Sequence, residues 1–248
     1  MCWRVLTSER GRALPEQAAP DKVFPMTQQF TPADVLLIFD LDGTLNQTEA
    51  TFLPTMKAAF AQHGIPYVGD TTILKQVGET FPDFLRWLAG QGFPDDTDAL
   101  AAEISRYEFE SIAASGELYP QVEEILRDLK KRGFLLAICT NGDLAYTRAV
   151  LGKFDLFDLF DGIKTFGDSQ QTKTEMIAEL LGQFSPTRSF MIGDRYHDFI
   201  AGRANGCTVV ATTYGFAADG EADEADVCID RFGDLPAVVS RFAPLGYS

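Results

Sequence analysis

The chain has 248 residues and a mass of about 27 kDa, enough for one generous globular unit or a core domain with a small second module. Apolar residues make up 46% and charged residues 23%, which excludes a wholly disordered chain, a collagen-like fibre and a disulfide scaffold. With 36 acidic against 21 basic residues the formal charge is −15, so the surface repels phosphate backbones and anionic lipid; a nucleic-acid or membrane partner is not expected, whereas a small anionic substrate neutralised in a pocket is compatible.

Residues 1–31, rich in Pro, Gln, Ala and charge with weak periodicity, read as a disordered extension, and Met26 offers an alternative start shortly before the first strong strand. Residues 1–25 lack the sustained apolar stretch of a secretory signal, and no apolar run approaches the roughly 18–20 residues that span a bilayer. Val35–Phe39 (VLLIF) is continuously apolar, the mark of a strand buried on both faces in a parallel sheet. It ends in Asp40-Leu41-Asp42-Gly43-Thr44-Leu45. From residue 47 to 117 no buried strand is expected. Helix-like stretches, Thr48–His63 and Leu100–Ala114 the clearest, are punctuated by Gly64, Gly78 and Gly92, so this region reads as a helical insert.

Further apolar runs follow at Phe134–Cys139, Ser189–Ile192, Thr208–Thr212 and Asp226–Ile229, alternating with helical patterns at Gln121–Lys131, Leu144–Leu151, Lys173–Leu181 and Tyr196–Asn205. Strands and helices in this alternation predict an α/β fold, a doubly wound Rossmann-like parallel sheet formed by residues 32–46 and 118–248, with 47–117 as an α-helical cap. Cys2, Cys139, Cys207 and Cys228 are scattered without a CxxC pair and read as reduced thiols of a cytoplasmic protein.

In open α/β sheets ligands gather beyond the carboxyl ends of the strands. Here three apolar strands each deliver polar residues at that end: Asp40 and Asp42, Thr140 and Asn141, and Asp194 with Asp198. Turn chemistry explains one such set more readily than three. Asp40 and Asp42, two apart on leaving a strand, point the same way into one cavity. Unpaired, they repel and one holds a proton; a divalent cation removes that conflict, and oxygen-only ligands suit Mg²⁺, with Asp194 supplying a third oxygen. A carboxylate so placed can act as a nucleophile on a phosphoryl group, and its neighbour as acid and then base. His63 and His197 also invite a role as bases, but one precedes a helix-ending glycine and the other opens an exposed helix.

FDLDGTL, LLAICTNG, Lys173 and MIGDRYHD stand in the order and rough spacing of the haloacid dehalogenase superfamily, which the chain resembles over about residues 35–232. The helical insert and the stretch from Ile192 to Phe216 resemble its phosphoglycolate-phosphatase-like branch. The resemblance implies a Mg²⁺-dependent phosphatase acting on a small phosphorylated metabolite through an aspartyl-phosphate, as a monomer or homodimer. It implies Asp40 as nucleophile, Asp42 as general acid/base, Thr140, Asn141 and Lys173 as phosphate-binding residues, and Asp40, Asp42 (through its carbonyl) and Asp194 as metal ligands. It implies Asp198 as a further ligand or as a group supporting the ligands from behind; by its position alone Asp198 is equally a helix first-turn carboxylate favoured by the dipole. Two positions depart from the pattern: Gln47 replaces an Asp that commonly follows the first motif, weakening any charged latch at the hinge, and Thr174 replaces a Pro after the lysine.

The paired acids exclude a dehalogenase, which lacks the second. A sugar-phosphate mutase carries a histidine where Phe52 stands and an arginine near Gly78, where the sequence reads Glu79-Thr80-Phe81. Lys57 could serve the Schiff-base chemistry of phosphonate-cleaving relatives, but the first motif differs from theirs. A mutase, a nucleotidase or pyrophosphatase, and a non-catalytic binding protein remain the alternatives. Phe52, Met56, Phe81 and Arg86 are expected to line the mouth, mixing apolar surface with one cation.

Overall fold

The computed structural model describes residues 3–4 and 30–245. In chain order its elements are β1 (Trp3–Arg4), β2 (Val35–Phe39), α1 (Glu49–Gln62), α2 (Asp70–Leu74), α3 (Phe81–Gly90), α4 (Thr97–Ser115), α5 (Val122–Lys131), β3 (Leu135–Thr140), α6 (Leu144–Gly152), β4 (Gly162–Thr165), α7 (Phe166–Ser169), α8 (Lys173–Phe184), β5 (Arg188–Gly193), α9 (Tyr196–Ala204), β6 (Thr208–Thr212), β7 (Val227–Ile229) and α10 (Leu235–Phe242). The strands form an all-parallel sheet in the order β1-β7-β6-β5-β2-β3-β4. Most of the expected 1–31 extension lies outside the described residues.

The sheet is a buried plane because its central strand has no polar side. Val35, Leu37 and Phe39 of β2 pack with α5, α6 and α10, whereas Leu36 and Ile38 pack with α8 and α9. All five are fully buried. Two-sided coverage is why the run is continuously apolar rather than alternating. β2 lies between β3 and β5, the point where the winding reverses, so its carboxyl end opens into the crevice where open α/β sheets bind ligands.

Helices α1–α4 fill the interval between β2 and β3 and share an apolar cluster of their own, including Phe52, Met56, Phe60, Ile73, Phe84, Leu88, Phe93, Leu100 and Ile104. Phe60 sits at its centre, edge-on to Phe93 and Tyr67 with ring centroids 4.9 and 5.4 Å away. Two segments of chain tie this helical unit to the sheet. Asn46 bridges antiparallel to Leu118, the Gln47 amide N–H donates to the Glu117 carbonyl at 2.9 Å, and the Gln47 side chain donates to the Leu118 carbonyl at 2.7 Å. Gln47 therefore joins the two linkers without a charge, where a latch weakened by loss of an Asp was expected.

β4 was not foreseen. Its sequence, GIKT, holds one large apolar residue and its first three residues are only partly buried. Cys139 and Cys207 are free and buried, but Cys228 is disulfide-bonded, which corrects the reading of four reduced thiols. Scatter along the sequence does not report distance in the fold. Among the described residues no helix is long and apolar enough to cross a membrane.

Phe60→Ala should lower the unfolding free energy by about 3–5 kcal/mol, because a fully buried ring leaves a cavity its aromatic neighbours cannot collapse into. Urea denaturation followed by circular dichroism measures the loss, and a change below about 1 kcal/mol would contradict this account of the helical unit.

Candidate active site

The loop after β2 turns tightly through Gly43, at φ +75°, where a Cβ would overlap the Asp194 carboxylate. Gly215, from the loop after β6, is confined against the same carboxylate. Two glycines thus allow two backbones to close around Asp194. The turn's hydrogen bonds run from the amides of Thr44, Leu45 and Asn46 to the Leu41 carbonyl and from the Gly43 amide to the Asn46 carbonyl, bypassing the carbonyl of Asp42.

Asp40 is buried, and its Oδ1 accepts from Lys173 Nζ at 2.7 Å. Lys173 opens α8 behind Thr172, whose hydroxyl caps the helix reciprocally with Glu175, and this cap fixes where the lysine enters the core. The ammonium is itself buried and also donates to Asp198 Oδ1 at 2.5 Å. Asp198 Oδ2 accepts the Arg195 amide N–H at 3.0 Å, at the start of α9. Asp198 is thus at once the first-turn carboxylate its position suggested and the anchor of Lys173. Burial alone would lower the lysine's pKa; Asp198 and Asp40 more than reverse this, and it stays charged.

Asp194 is also fully buried. Its Oδ2 accepts the Phe216 amide N–H at 2.6 Å, while its Oδ1 has no hydrogen-bond partner among the described residues. Carboxylate oxygens of Asp40, Asp194 and Asp198 lie within 4.8 Å of one another. An orphaned, buried carboxylate oxygen facing two other acids is what a hard divalent cation satisfies, so this donor set fits Mg²⁺.

Asp42 is half-buried and faces the same cavity as Asp40. Its Oδ1 accepts from the Tyr146 hydroxyl, from Thr48 Oγ1 at 2.7 Å and from Asn46 Nδ2 at 3.3 Å. Burial, reinforced by the charge of Asp42, holds the Tyr146 phenol well above its ordinary range, so it remains a donor. Sequence reasoning missed Asn46, Thr48 and Tyr146. The first two sit beside the DxD pair; Tyr146 comes from α6, which Asp143 caps by accepting the Tyr146 amide N–H at 2.7 Å, and no local spacing announces it.

Thr140 and Asn141, at the end of β3, line the cavity. Thr140 Oγ1 accepts the Gly142 amide N–H at 3.1 Å, and the Asn141 side chain donates to the Gly78 carbonyl of the helical unit at 2.7 Å. Arg195 reaches the adjacent Val77 carbonyl. The 77–78 loop is therefore seated on the sheet's crevice by two donors from the core.

Other residues singled out in the sequence do not reach the site. His63 pairs with Glu103 at 3.0 Å, His197 is exposed, and Lys57 pairs with Asp70 at the surface. Phe52 and Phe81 line the cavity, but Met56 is fully buried within the helical cluster and Arg86, 75% exposed, pairs with Asp83. Among the described residues the expected cation at the mouth is absent from the lining; Glu108 stands there instead.

The sequence pattern of the haloacid dehalogenase-like hydrolases matches residues 37–212. The chain belongs to that family. A phosphoglycolate phosphatase from Haemophilus influenzae is 30% identical over 218 residues, covering 82% of this chain and 97% of the relative. One from Mannheimia succiniciproducens is 28% identical over 220 residues, covering 82% and 97%. Among solved structures, a predicted phosphoglycolate phosphatase from Haemophilus somnus superposes with a TM-score of 0.77 at 24% identity, covering 86% of this chain and 99% of that one. The YfnB hydrolase of Bacillus subtilis, whose structure is bound to magnesium and reveals interdomain movement, gives 0.64 at 19% identity, covering 83% and 98%. The fold of the hydrolase family and its phosphoglycolate-phosphatase-like branch thus agree with the topology found here.

Burial, with Asp198 and Asp42 adding and Lys173 opposing, pushes Asp40 from 3.8 up to about 7. A carboxyl that holds its proton more tightly folded than unfolded costs stability as pH rises between those two values. Cation-free protein should therefore melt at a lower temperature at pH 7.5 than at pH 5, and Mg²⁺ should raise the Tm more at pH 7.5. Scanning calorimetry in EDTA and in Mg²⁺ tests this; a Tm at pH 7.5 unmoved by Mg²⁺ would contradict it.

Proposed function

We propose that this hydrolase cleaves a small phosphomonoester in two steps, with Asp40 as nucleophile and Asp42 as acid and base. The observation that carries the reading is the placement of Asp40: buried at the end of the central strand, one oxygen held by a buried ammonium, facing one cavity with Asp42. Asp40 Oδ2 has no hydrogen-bond partner among the described residues and is the oxygen offered for attack.

An Asp40 oxygen attacks phosphorus as the bond to the leaving oxygen breaks, and Asp42 gives that oxygen its proton. All three hydrogen bonds to Asp42 converge on Oδ1, which leaves Oδ2 to carry the proton. In the second step Asp42 takes a proton from water, the water oxygen bonds to phosphorus, and Asp40 is released with inorganic phosphate. Lys173 uses two of its three N–H donors on Asp40 and Asp198 and keeps one for a phosphoryl oxygen. Thr140 lines the phosphoryl side of the cavity. Asn141, expected there too, has its side chain committed to Gly78, so its contribution is to hold the helical unit over the site. Asp40, Asp194 and the Asp42 carbonyl would hold Mg²⁺, with Asp198 behind them, and the ion would supply neutralisation of the phosphate charge. The magnesium bound to YfnB supports that choice of metal.

The helical unit acts as a lid: closing it excludes water and strengthens charge interactions at the phosphoryl group. Gln47 and the paired linkers form its hinge.

Asp40→Asn should abolish turnover while the protein stays folded, since an amide is not a nucleophile. Asp42→Asn should slow turnover by roughly 10²–10⁴, the range of a lost general acid/base. Phosphate release from p-nitrophenyl phosphate with Mg²⁺ reads both; wild-type rates from Asp40→Asn would remove it from the mechanism. Excess EDTA should abolish wild-type activity in the same assay, and full turnover there would exclude the metal.

A further inference from the structure

The wall that faces the leaving group is chemically one-sided. The cavity, about 100 Å³, is bounded on the helical side by Phe52, Phe81, Phe84, Glu79 and Glu108, and among the described residues no Lys, Arg or His lines it. A leaving group that carried a carboxylate would meet two acids and no counter-cation.

Glu108 is the unusual member. It lies one helical turn from Ile104 and one from Ile112 on α4, and both isoleucines are buried, so their shared row faces inward. Glu108 itself is half-buried and lines the cavity rather than being sealed in the helical core. Among the described residues Glu108 makes no hydrogen bond or ion pair. Its charged neighbours are the acids Asp42 and Asp143, and burial with these like charges raises its carboxyl pKa, a penalty that an ammonium group placed beside it would remove. The other acids of the wall are better provided for: Glu79 lies 3.9 Å from Arg195, and Asp143 caps α6. Beside Glu108 in the lining stand the rings of Phe52 and Phe84, tilted with centroids 5.4 Å apart, and Phe81. Aromatic rings and a carboxylate without a partner, lining one cavity, are two features that attract an organic cation.

We infer that the preferred substrate is a phosphomonoester of a small amino alcohol, with Glu108 and the Phe52–Phe84 rings receiving the ammonium group of the leaving alcohol. This rests on the phosphatase reading of the site and assigns its leaving-group specificity. It also separates this chain from relatives named for phosphoglycolate, whose leaving group is an anion. Glu108 is a specificity residue: it touches the part of the substrate that does not react.

Three near-isosteric substrates decide the matter: 2-aminoethyl phosphate, 2-hydroxyethyl phosphate and phosphoglycolate, which differ in the charge of the leaving group. With wild-type enzyme and Mg²⁺, kcat/KM should fall in that order, with at least a tenfold difference between the ends. Glu108→Gln should shrink the ratio of aminoethyl phosphate to phosphoglycolate at least fivefold, and Glu108→Asp should keep the order. Each ratio is internal to one protein sample, so a loss of folded protein does not alter it, and if Glu108→Gln does not fold the wild-type order still decides. Phosphoglycolate preferred by the wild type, or an unchanged ratio in folded Glu108→Gln, would overturn the inference. Turnover of p-nitrophenyl phosphate without turnover of aminoethyl phosphate would overturn it too and leave the phosphatase reading standing; no turnover of any of the four would overturn both.

Discussion

Three buried carboxylates share one buried ammonium, and the rest of the site follows from that imbalance. At the spacing of Asp40, Asp194 and Asp198, each pair of negative charges repels by on the order of 3 kcal/mol at an effective dielectric of about 20. Lys173 lies against Asp40 and Asp198 and relieves both. Asp194 is left with a backbone amide on one oxygen and nothing on the other. The folded chain therefore carries a deficit of positive charge at one place, and that place is where a cation and a phosphoryl group would be neutralised together.

The architecture delivers this arrangement without irregular backbone in the core. β2, β3 and β5 are adjacent and parallel, so their carboxyl ends release Asp40, Thr140 and Asp194 side by side at the reversal of the winding. Helix starts then bring in the remaining charges: Lys173 at the first position of α8 and Asp198 in the first turn of α9. Gly43 and Gly215 let the two loops close around Asp194, where any Cβ would strike its carboxylate. Over this floor the helical unit contributes a wall of aromatic and acidic side chains.

How much of this is legible before folding depends on the range of the signal. Val35–Phe39, the β3 and β5 runs and the polar residues that end them are contiguous in sequence, and their pattern states both burial and position. Asp198 could be read either as a helix-start carboxylate or as support for the site; in the fold it accepts the Arg195 amide at the start of α9 and also pairs with Lys173. Tyr146 and Glu108 were not legible, because each reaches the cavity from a helix whose rotation is set by packing. Arg86 was expected at the mouth on composition; an i,i+3 pair with Asp83 holds it in solvent. Gln47 was read as a weakened latch because charge was the feature in view, whereas a neutral amide reaching a carbonyl across two linkers needs the fold to be seen. β4, short and half-exposed, carries too little apolar pattern to stand out, and the disulfide at Cys228 leaves no mark in spacing.

The claim on which the account turns is that the unpaired Asp194 oxygen exists to hold a cation. Isothermal titration of Mg²⁺ into EDTA-treated, rebuffered protein addresses it without reference to turnover. The account predicts one site per chain in the wild type and at least tenfold weaker binding in Asp194→Asn, with both proteins shown to be folded by circular dichroism. Equal affinity in the two proteins, or no binding to the folded wild type, would contradict it.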